Sequence, residues 1–263
     1  MQSGRRRFLK LAGISAAGLS AKPVLNVLAS GLEEGQGNKP QVKENEKALT
    51  AKQWALVIDT AKFHGPEDME PLIEACHKIH NVPGLENKNH EIKWIWETEY
   101  KHAFPNRPNQ FLSEKVEHRP FLVLCNHCEN PPCVRACPTK ATFKRENDGI
   151  VMMDFHRCIG CRFCMAACPF GARSFNFRDP RPFIAKQNKE FPTRMKGVVE
   201  KCNFCADRLA VGKVPACVEA SDGALVFGDL YDPDSEVRKL LKTRYTIRRK
   251  VSLGTEPSVY YII

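Results

Sequence analysis

The spacing of the cysteines constrains this chain more than any other feature. The sequence has 263 residues and 12 cysteines, and eleven of them lie between Cys125 and Cys217. Two runs are complete, Cys125-x2-Cys128-x4-Cys133-x3-Cys137-Pro138 and Cys158-x2-Cys161-x2-Cys164-x3-Cys168-Pro169. The second has the C-x2-C-x2-C-x3-C-P spacing that binds cubane iron–sulfur clusters, and the first differs by two extra residues. Both runs therefore predict [4Fe–4S] ligation.

The fourth cysteine of each run is expected to serve the neighbouring cluster. In proteins with two such runs, this cysteine ligates the cluster of the other run. The predicted ligands of cluster 1 are Cys125, Cys128, Cys133 and Cys168. Those of cluster 2 are Cys158, Cys161, Cys164 and Cys137.

The remaining four cysteines form a third set by the same logic. The segment Cys202-x2-Cys205-x11-Cys217-x3-Ser221 is a further run whose last ligand is replaced by Ser221. Cys76 stands alone, and its surroundings resemble a fourth run that has lost most of its ligands. Counting back from Cys76 with the ferredoxin spacing gives positions 66, 69 and 72, and none of them carries a ligand. If these outer runs exchange their fourth ligands, Cys76 completes cluster 3 with Cys202, Cys205 and Cys217, and a fourth cluster has been lost. Alternatively, Cys76 is a buried free thiol, and Ser221 or water completes the third cluster.

Zinc and disulfides are the competing uses of these cysteines. Zinc ligates paired C-x2-C units, but zinc ribbons do not need two consecutive four-cysteine runs that end in Cys-Pro. Disulfides are possible outside the cytoplasm, although such close spacing strains most pairings. Iron–sulfur binding is the preferred interpretation.

The N-terminal residues 1–29 are predicted to be a twin-arginine signal peptide. Arg5-Arg6-Arg7-Phe8-Leu9-Lys10 precedes an apolar stretch from Leu11 to Ala21, and small residues precede a cleavage point after Ala29. A membrane anchor is the alternative, but this stretch is shorter than the roughly 20 residues that span a bilayer. Export of a folded protein would allow cluster assembly in the cytoplasm and a periplasmic location. Residues 30–50 are polar and predicted to be a linker.

The basic net charge does not indicate nucleic-acid binding. The chain carries a formal charge of +10, of which half lies in the first 29 residues. Each oxidised four-thiolate cubane adds a charge of about −2, so three would bring the remainder close to neutral. No stripe of basic and aromatic residues indicates a nucleic-acid partner.

Apolar patterns predict an α+β fold with short elements. Short apolar runs predict strands over Ala55–Asp59, Gly149–Asp154 and Ala224–Phe227. Helices are predicted around Met165–Ala167 and over Glu236–Lys242.

The order of the runs predicts two interleaved ferredoxin-like modules. Residues 121–178 form the inner two-cluster module, and residues 51–120 with 179–230 form the outer module, which has lost one cluster. Residues 231–263 form a C-terminal docking tail. Because the ligands come from distant points in the chain, the protein without clusters is expected to fold poorly.

Several other residues have open assignments. His127 and His156 lie beside cluster ligands, where a solvated loop position is favoured over a proton-coupling or ligand role. Trp54, Trp94 and Trp96 are assigned to packing or interfaces rather than to electron relay. A basic stretch near the end of the chain is interpreted as a solvated face, or as a docking surface for a partner or anionic lipid. It comprises Arg238, Lys239, Lys242, Arg244, Arg248, Arg249 and Lys250.

The chain from about residue 50 resembles the ferredoxin-like electron-transfer subunits of membrane respiratory complexes. This family includes the iron–sulfur subunits of dimethyl sulfoxide, polysulfide and tetrathionate reductases, which usually hold four cubanes. The resemblance includes Pro215–Ala220, Gly228–Leu230 and Gly254–Tyr261. Within the family, the three-cluster pattern and the leader are most similar to the DsrO-type subunits of DsrMKJOP complexes in dissimilatory sulfur metabolism. Tyr100–Pro105 and Pro169–Phe177 fit that similarity.

The predicted function is electron relay without a substrate site. Every predicted cubane has four cysteine ligands, which leaves no iron open to substrate, and no P-loop, dinucleotide or nucleophile motif appears. The resemblance implies an integral-membrane, quinone-interacting partner and, for the DsrO type, a multihaem c-type cytochrome. There are two alternatives. One is an electron-transfer subunit that serves a molybdenum reductase of the polysulfide or tetrathionate type, and the other is a zinc-stapled interaction protein.

Overall fold

The computed structural model of the protein describes residues 45–107 and 111–263. Asn45–Ile263 forms one compact unit. The predicted signal peptide 1–29 and most of the predicted linker 30–50 lie outside the described residues.

Short strands and helices alternate along the described chain. The strands are β1 Trp54–Asp59, β2 Ile95–Glu99, β3 Pro120–Leu124, β4 Thr142–Lys144, β5 Val151–Met153, β6 Ser174–Phe175, β7 Val199–Glu200, β8 Leu225–Asp229, β9 Thr246–Ile247 and β10 Val259–Ile262. The α-helices are α1 Glu70–Ile79, α2 Tyr100–Ala103, α3 Glu114–Glu117, α4 Pro132–Arg135, α5 Phe163–Ala167, α6 Ala206–Leu209, α7 Ala216–Glu219 and α8 Glu236–Thr243. Single 3₁₀ turns cover Thr60–Lys62, Pro66–Asp68, Lys88–His90, Arg181–Phe183 and Val251–Leu253. The predicted α+β class is confirmed.

The largest sheet has four strands in the order β8-β1-β10-β9. β1 runs antiparallel to β8 and parallel to β10. Successive side chains of a strand point to opposite faces, so Leu56 and Ile58 enter the main core while Ala55 and Val57 face the other side. On that second side they pack with Val237 of α8. Both faces are covered, which explains the continuous apolar run of β1.

Three two-stranded sheets lead the chain into the cysteine runs. They pair β2 with β3, β4 with β5, and β6 with β7, each antiparallel. β3 ends directly before Cys125, β5 ends shortly before Cys158, and β7 ends two residues before Cys202. Each run therefore begins where a strand has just ended, and the sheets set the positions of the loops.

The locally predicted elements are confirmed with small shifts of their ends. Strands occur at all three predicted places, although the second is shorter than its apolar run. α8 extends the predicted helix by one residue, and Ser235 caps its start by accepting a hydrogen bond from the N–H of Arg238. The β1–β8 pairing joins two segments of the predicted outer module. The interleaving of two complete modules stays a prediction.

The C-terminal segment is part of the core. β10 lies between β1 and β9, and the buried Tyr261 donates a hydrogen bond to the carbonyl of Leu122 at 3.2 Å. The interpretation of the basic stretch as a solvated face is wrong for Arg249, which is 4% exposed and donates to the carbonyl of Ala103. Arg249 follows β9, and its guanidinium is buried because it packs over the ring of Phe170 as well as donating to Ala103. A docking role for residues 231–263 stays a prediction.

The tryptophans pack as expected. Trp54 and Trp94 are buried, and Trp96 is partly buried against the same core. Trp94 stacks on His80, and its indole N–H donates to Glu200 at 2.9 Å. Their contacts are those of core residues.

Candidate metal centre

Four cysteines from two distant stretches of the sequence line one small buried pocket. Cys76 lies in α1, Cys202 follows β7, Cys205 precedes α6 and Cys217 lies in α7. All four are buried. The other lining residues are apolar, namely Leu56, Ile95, Leu124, Phe204, Pro215 and Val218. The structure thus brings together the four residues assigned to cluster 3.

The electrostatics of this pocket suit a cationic metal core. Burial raises the pKa of Cys76 well above its usual value, and the nearby sulfurs of Cys205, Cys202 and Cys217 raise it further. Burial also raises the pKa of Cys217 to about 11. Four buried thiolates repel one another and lose hydration, so the charged form is unfavourable without a compensating cation. The irons of a cubane would supply that charge, and sulfur is their usual ligand.

At the positions where the outer runs have lost their cysteines, the side chains have other structural roles. The hydroxyl of Ser221 donates to the carbonyl of Val218 at 2.7 Å and accepts from the N–H of Leu225 at 3.1 Å. Ser221 does not line the cysteine pocket. Met69 and Leu72 are buried in the apolar core. Apolar packing therefore fills part of the region where the sequence predicts a lost cluster.

The predicted ligands of cluster 1 are also neighbours. Burial raises the pKa of Cys128 to about 12, and Cys125, Cys133 and Cys168 contribute electrostatically. Cys168 in turn interacts with Cys125 and Cys133. Burial and then the nearby sulfur of Cys125 raise the pKa of Cys202, which is assigned to cluster 3, so the two predicted sites are neighbours.

The predicted ligands of cluster 2 are less completely connected. Cys164 interacts with Cys158 of its own run and with Cys133 of the first run. Cys137 accepts a hydrogen bond from the N–H of Thr142 at 3.4 Å. Burial raises the pKa of Cys137, but backbone and hydroxyl hydrogen bonds from Thr142 and Thr139 outweigh it, and the net shift is downward. The sharing of Cys137 with Cys158, Cys161 and Cys164 stays a prediction.

None of the 12 cysteines forms a disulfide. Within residues 45–107 and 111–263, no three His, Cys, Asp or Glu side chains lie close enough together to hold a single metal ion. A cubane makes a different demand, because each of its four thiolates binds a separate iron atom. The pocket lined by Cys76, Cys202, Cys205 and Cys217 has the donor set for such a group.

The three runs share a backbone turn that the spacing did not predict. The residue directly before the second cysteine has a positive φ in each run, with 40° at His127, 70° at Gly160 and 53° at Phe204. Only the second run uses glycine, the residue that adopts this conformation without steric cost. The other two loops hold bulky residues in the left-handed region.

His127 is a core residue. The interpretation of His127 as a solvated loop residue is wrong, because its ring is fully buried and stacks on Phe204. Its Nδ1 accepts a hydrogen bond from the N–H of Val151 at 3.1 Å, which draws the first cysteine loop against β5. His156 is exposed, as expected of a solvated loop residue.

Two buried cations near the cysteines were not predicted from the sequence. The ammonium of Lys201 donates to the carbonyl of Cys202 at 2.6 Å and to that of Val151. Arg173 is 5% exposed and interacts with the sulfurs of Cys133 and Cys164. The only signal in the sequence was their closeness to cysteine ligands, since surface lysines and arginines are common.

No helix in the described part of the chain is long and apolar enough to cross a membrane.

The family model of the 4Fe-4S dicluster domain matches residues 116–181. This range contains both complete cysteine runs and the strand that precedes the first.

Curated relatives match across most of the chain. The Hdr-like menaquinol oxidoreductase iron-sulfur subunit 1 of Archaeoglobus fulgidus is 40% identical, over 98% of this chain and 97% of its own length. The menaquinone reductase iron-sulfur cluster-binding subunit of Nitratidesulfovibrio vulgaris is 35% identical, over 80% of this chain and 88% of its own. One tetrathionate reductase subunit, from Salmonella typhimurium, is 33% identical, over 100% of this chain and 89% of its own. The chain belongs to the family of ferredoxin-like 4Fe-4S electron-transfer subunits of respiratory oxidoreductase complexes.

Proposed function

We propose that this chain is a periplasmic electron-transfer subunit that holds three [4Fe–4S] clusters and has no substrate site of its own. The observation that carries the proposal is the convergence of Cys76, Cys202, Cys205 and Cys217 on one buried, otherwise apolar pocket. Cys76 is far in sequence from the other three, and the meeting of four sulfurs in one apolar pocket supports a shared iron–sulfur cluster. Clusters 1 and 2 take the two complete cysteine runs, with Cys137 and Cys168 exchanged.

The neighbouring ligands suggest an order for the clusters. Cys202 of cluster 3 interacts with Cys125 of cluster 1, and Cys133 of cluster 1 interacts with Cys164 of cluster 2. The chain of clusters that passes electrons, here called the wire, therefore has the order cluster 3, cluster 1, cluster 2. When bound, each cubane supplies reversible one-electron chemistry at a potential that burial and hydrogen bonds to sulfur adjust. The chain's own residues hold the clusters close together and exclude water from cluster 3.

Cluster 2 is the more accessible end of this wire. Cys137, Cys158 and Cys161 are only partly buried, whereas all four cysteines at cluster 3 are buried. The exposed side chains of Ile159 and Phe163 lie within the same run. A redox partner would therefore dock most directly at the loop around Cys158–Cys164.

The partner proposed at one end of the wire is an integral-membrane subunit that interacts with quinone. Two relatives carry names that refer to menaquinol or menaquinone, which supports this assignment. The predicted twin-arginine leader supports the periplasmic side. The resemblance to DsrO-type subunits extends the proposal to a DsrMKJOP-like complex of dissimilatory sulfur metabolism, in which a multihaem c-type cytochrome is a further partner.

A second candidate is the electron-transfer subunit of a molybdenum reductase. The match to the tetrathionate reductase relative over the full chain favours it. Isolation of the native membrane assembly separates the two candidates, because a copurifying multihaem c-type cytochrome supports the first and molybdopterin supports the second.

The cluster proposal itself is tested by metal and sulfide analysis of anaerobically prepared protein. Three cubanes require roughly twelve irons and twelve acid-labile sulfides per chain, and paramagnetic signals after dithionite reduction. Zinc in place of iron, or colourless protein without such signals, would refute it. Roughly eight irons would instead indicate two clusters and refute the third.

A further inference from the structure

Arg173 is buried between the two complete cysteine runs. It lies between α5 and β6, five residues beyond Cys168, with 5% of its surface exposed. Its Nη1 donates to the hydroxyl of Thr142 at 3.1 Å and lies 3.9 Å from the sulfur of Met153. Its Nη2 is buried and has no hydrogen-bond partner among the described residues. The guanidinium is thus held by β4 and β5, with one nitrogen left for another kind of partner.

Two cysteine sulfurs lie beside this guanidinium. Met153, which the guanidinium contacts, packs against the buried cluster that contains Cys133 and Cys164. Burial lowers the pKa of Arg173, but the nearby sulfurs of these two cysteines outweigh that effect and the net shift is upward. Cys133 is assigned to cluster 1 and Cys164 to cluster 2. The same apolar cluster of buried side chains contains both cysteines, Val151 of β5 and Val199 of β7, and this surrounding reduces screening by water.

No carboxylate in the described residues neutralises Arg173. The fully buried Arg194, in contrast, is paired with a carboxylate, because its Nη2 lies 2.7 Å from a carboxylate oxygen of Glu200. A buried charge is costly unless it is paired. Two four-thiolate cubanes, each with a charge of about −2 when oxidised, would provide the missing counter-charge on either side of Arg173.

We propose that Arg173 is a positioning residue that sets the potentials of clusters 1 and 2 together, by placing one positive charge and its N–H donors between a sulfur ligand of each. This inference rests on the proposed cluster assignment. Reduction adds one electron to a cubane, with no bond formed or broken, so the reduced state carries more negative charge. A nearby cation and N–H donors to sulfur stabilise that state and raise the reduction potential. Cluster 3 has no contact with Arg173 and keeps its own potential.

The test is a redox titration of the paramagnetic signals in the wild-type protein and in Arg173→Gln. We expect the signals of both clusters 1 and 2 to move to lower potential, each by at least a tenfold change in the reduction equilibrium, which is about 59 mV for one electron. The signal of cluster 3 should stay in place. Arg178→Gln is the matched control, since Arg178 is an exposed arginine in the same segment, and its three potentials should equal those of the wild type.

Iron and sulfide contents accompany every titration. If the wild type lacks three clusters, the proposed function fails; if it holds three and Arg173→Gln leaves the potentials of clusters 1 and 2 unchanged, only this inference fails. Should Arg173→Gln lose its clusters, Arg173→Lys decides. A lysine ammonium keeps the positive charge, but it lacks the forked guanidinium that can face both sulfurs at once. One of the two cluster potentials should therefore fall relative to the other. Two unshifted potentials in Arg173→Lys would overturn the proposal.

Discussion

The imidazole ring of His127 stacks on the phenyl ring of Phe204, with ring centroids 3.7 Å apart and planes inclined by 18°. Both residues directly precede the second cysteine of a run, and both have a positive φ. The contact therefore joins equivalent points of the loops assigned to clusters 1 and 3. It fixes the spacing of two loops that are far apart in sequence.

Changing Phe204 to Gly is expected to destabilise the protein by about 2 kcal/mol. Loss of a buried phenyl ring costs about 3–5 kcal/mol, while relief of the left-handed backbone returns about 1–2 kcal/mol. Denaturant unfolding of the anaerobic holoprotein, followed by loss of visible absorbance, measures this change. Phe204→Leu keeps much of the apolar contact and should lose less. A larger loss in Phe204→Leu than in Phe204→Gly would mean that backbone strain, and not ring packing, dominates at this site.

Cys76→Ala and Cys202→Ala are expected to abolish the same paramagnetic signal. The two sulfurs line one pocket, so either change removes a ligand from cluster 3. Spectra of the reduced proteins, recorded with iron content, measure the effect. Cys137→Ala is the control and should disturb the signal of cluster 2 instead. If Cys76→Ala and Cys202→Ala altered different signals, the third ligand set would be wrong.

Gly160→Ala should impair cluster 2 far more than Gly171→Ala. Both glycines have a left-handed backbone, with φ of 70° and 65°, so both changes incur the same conformational cost. A Cβ at Gly160 would lie 2.5 Å from the carbonyl oxygen of Gly197, whereas a Cβ at Gly171 meets no atom within 4 Å. Cluster 2 occupancy and its rate of loss in air measure the difference. Equal occupancy in the two variants would show that the loop around Gly197 moves aside freely.

Breaking the Arg194–Glu200 pair is expected to cost about 3–5 kcal/mol of stability. Both side chains are fully buried, and Glu200 also accepts from Trp94 at 2.9 Å and from Asn176 at 2.5 Å. Glu200→Gln leaves the guanidinium without its counter-charge. The double change of Arg194→Met with Glu200→Gln removes both charges and should cost less than the sum of Arg194→Met and Glu200→Gln made separately. A double-mutant cycle by denaturant unfolding measures this, and additive losses would argue against a coupled pair.

Removal of the clusters is expected to abolish cooperative folding. The pocket around Cys76 and Cys217 holds thiols whose charged forms burial disfavours, and a bound cluster would tie α1 to α7 at that point. Anaerobic chelation followed by circular dichroism should show loss of tertiary signal and of the unfolding transition. Reconstitution with iron and sulfide should restore both. An unchanged transition in the cluster-free protein would contradict the role of the clusters as staples.

Local patterns in the sequence predicted the local structure well. The apolar runs at Ala55–Asp59 and Ala224–Phe227 predicted strands, and the spacing of Val237, Leu240 and Leu241 predicted a helix. Both are found, because each pattern depends only on the face that one element turns to the core. Which strands pair is set by contacts between distant residues, so the place of β10 between β1 and β9 left no local signal. For the same reason, the burial of Arg249 was not predicted.

The spacing of the cysteines by itself determined the kind of site, because a cubane demands sulfur ligands a few residues apart and the chain repeats that interval. It also indicated that Cys76 belongs with Cys202, Cys205 and Cys217. Only the tertiary structure decided what surrounds these sulfurs. The stacking of His127 on Phe204 and the burial of Arg173 and Lys201 arise where loops from separate runs meet, and side-chain burial and charge pairing depend on those non-local contacts rather than on intervals along the chain.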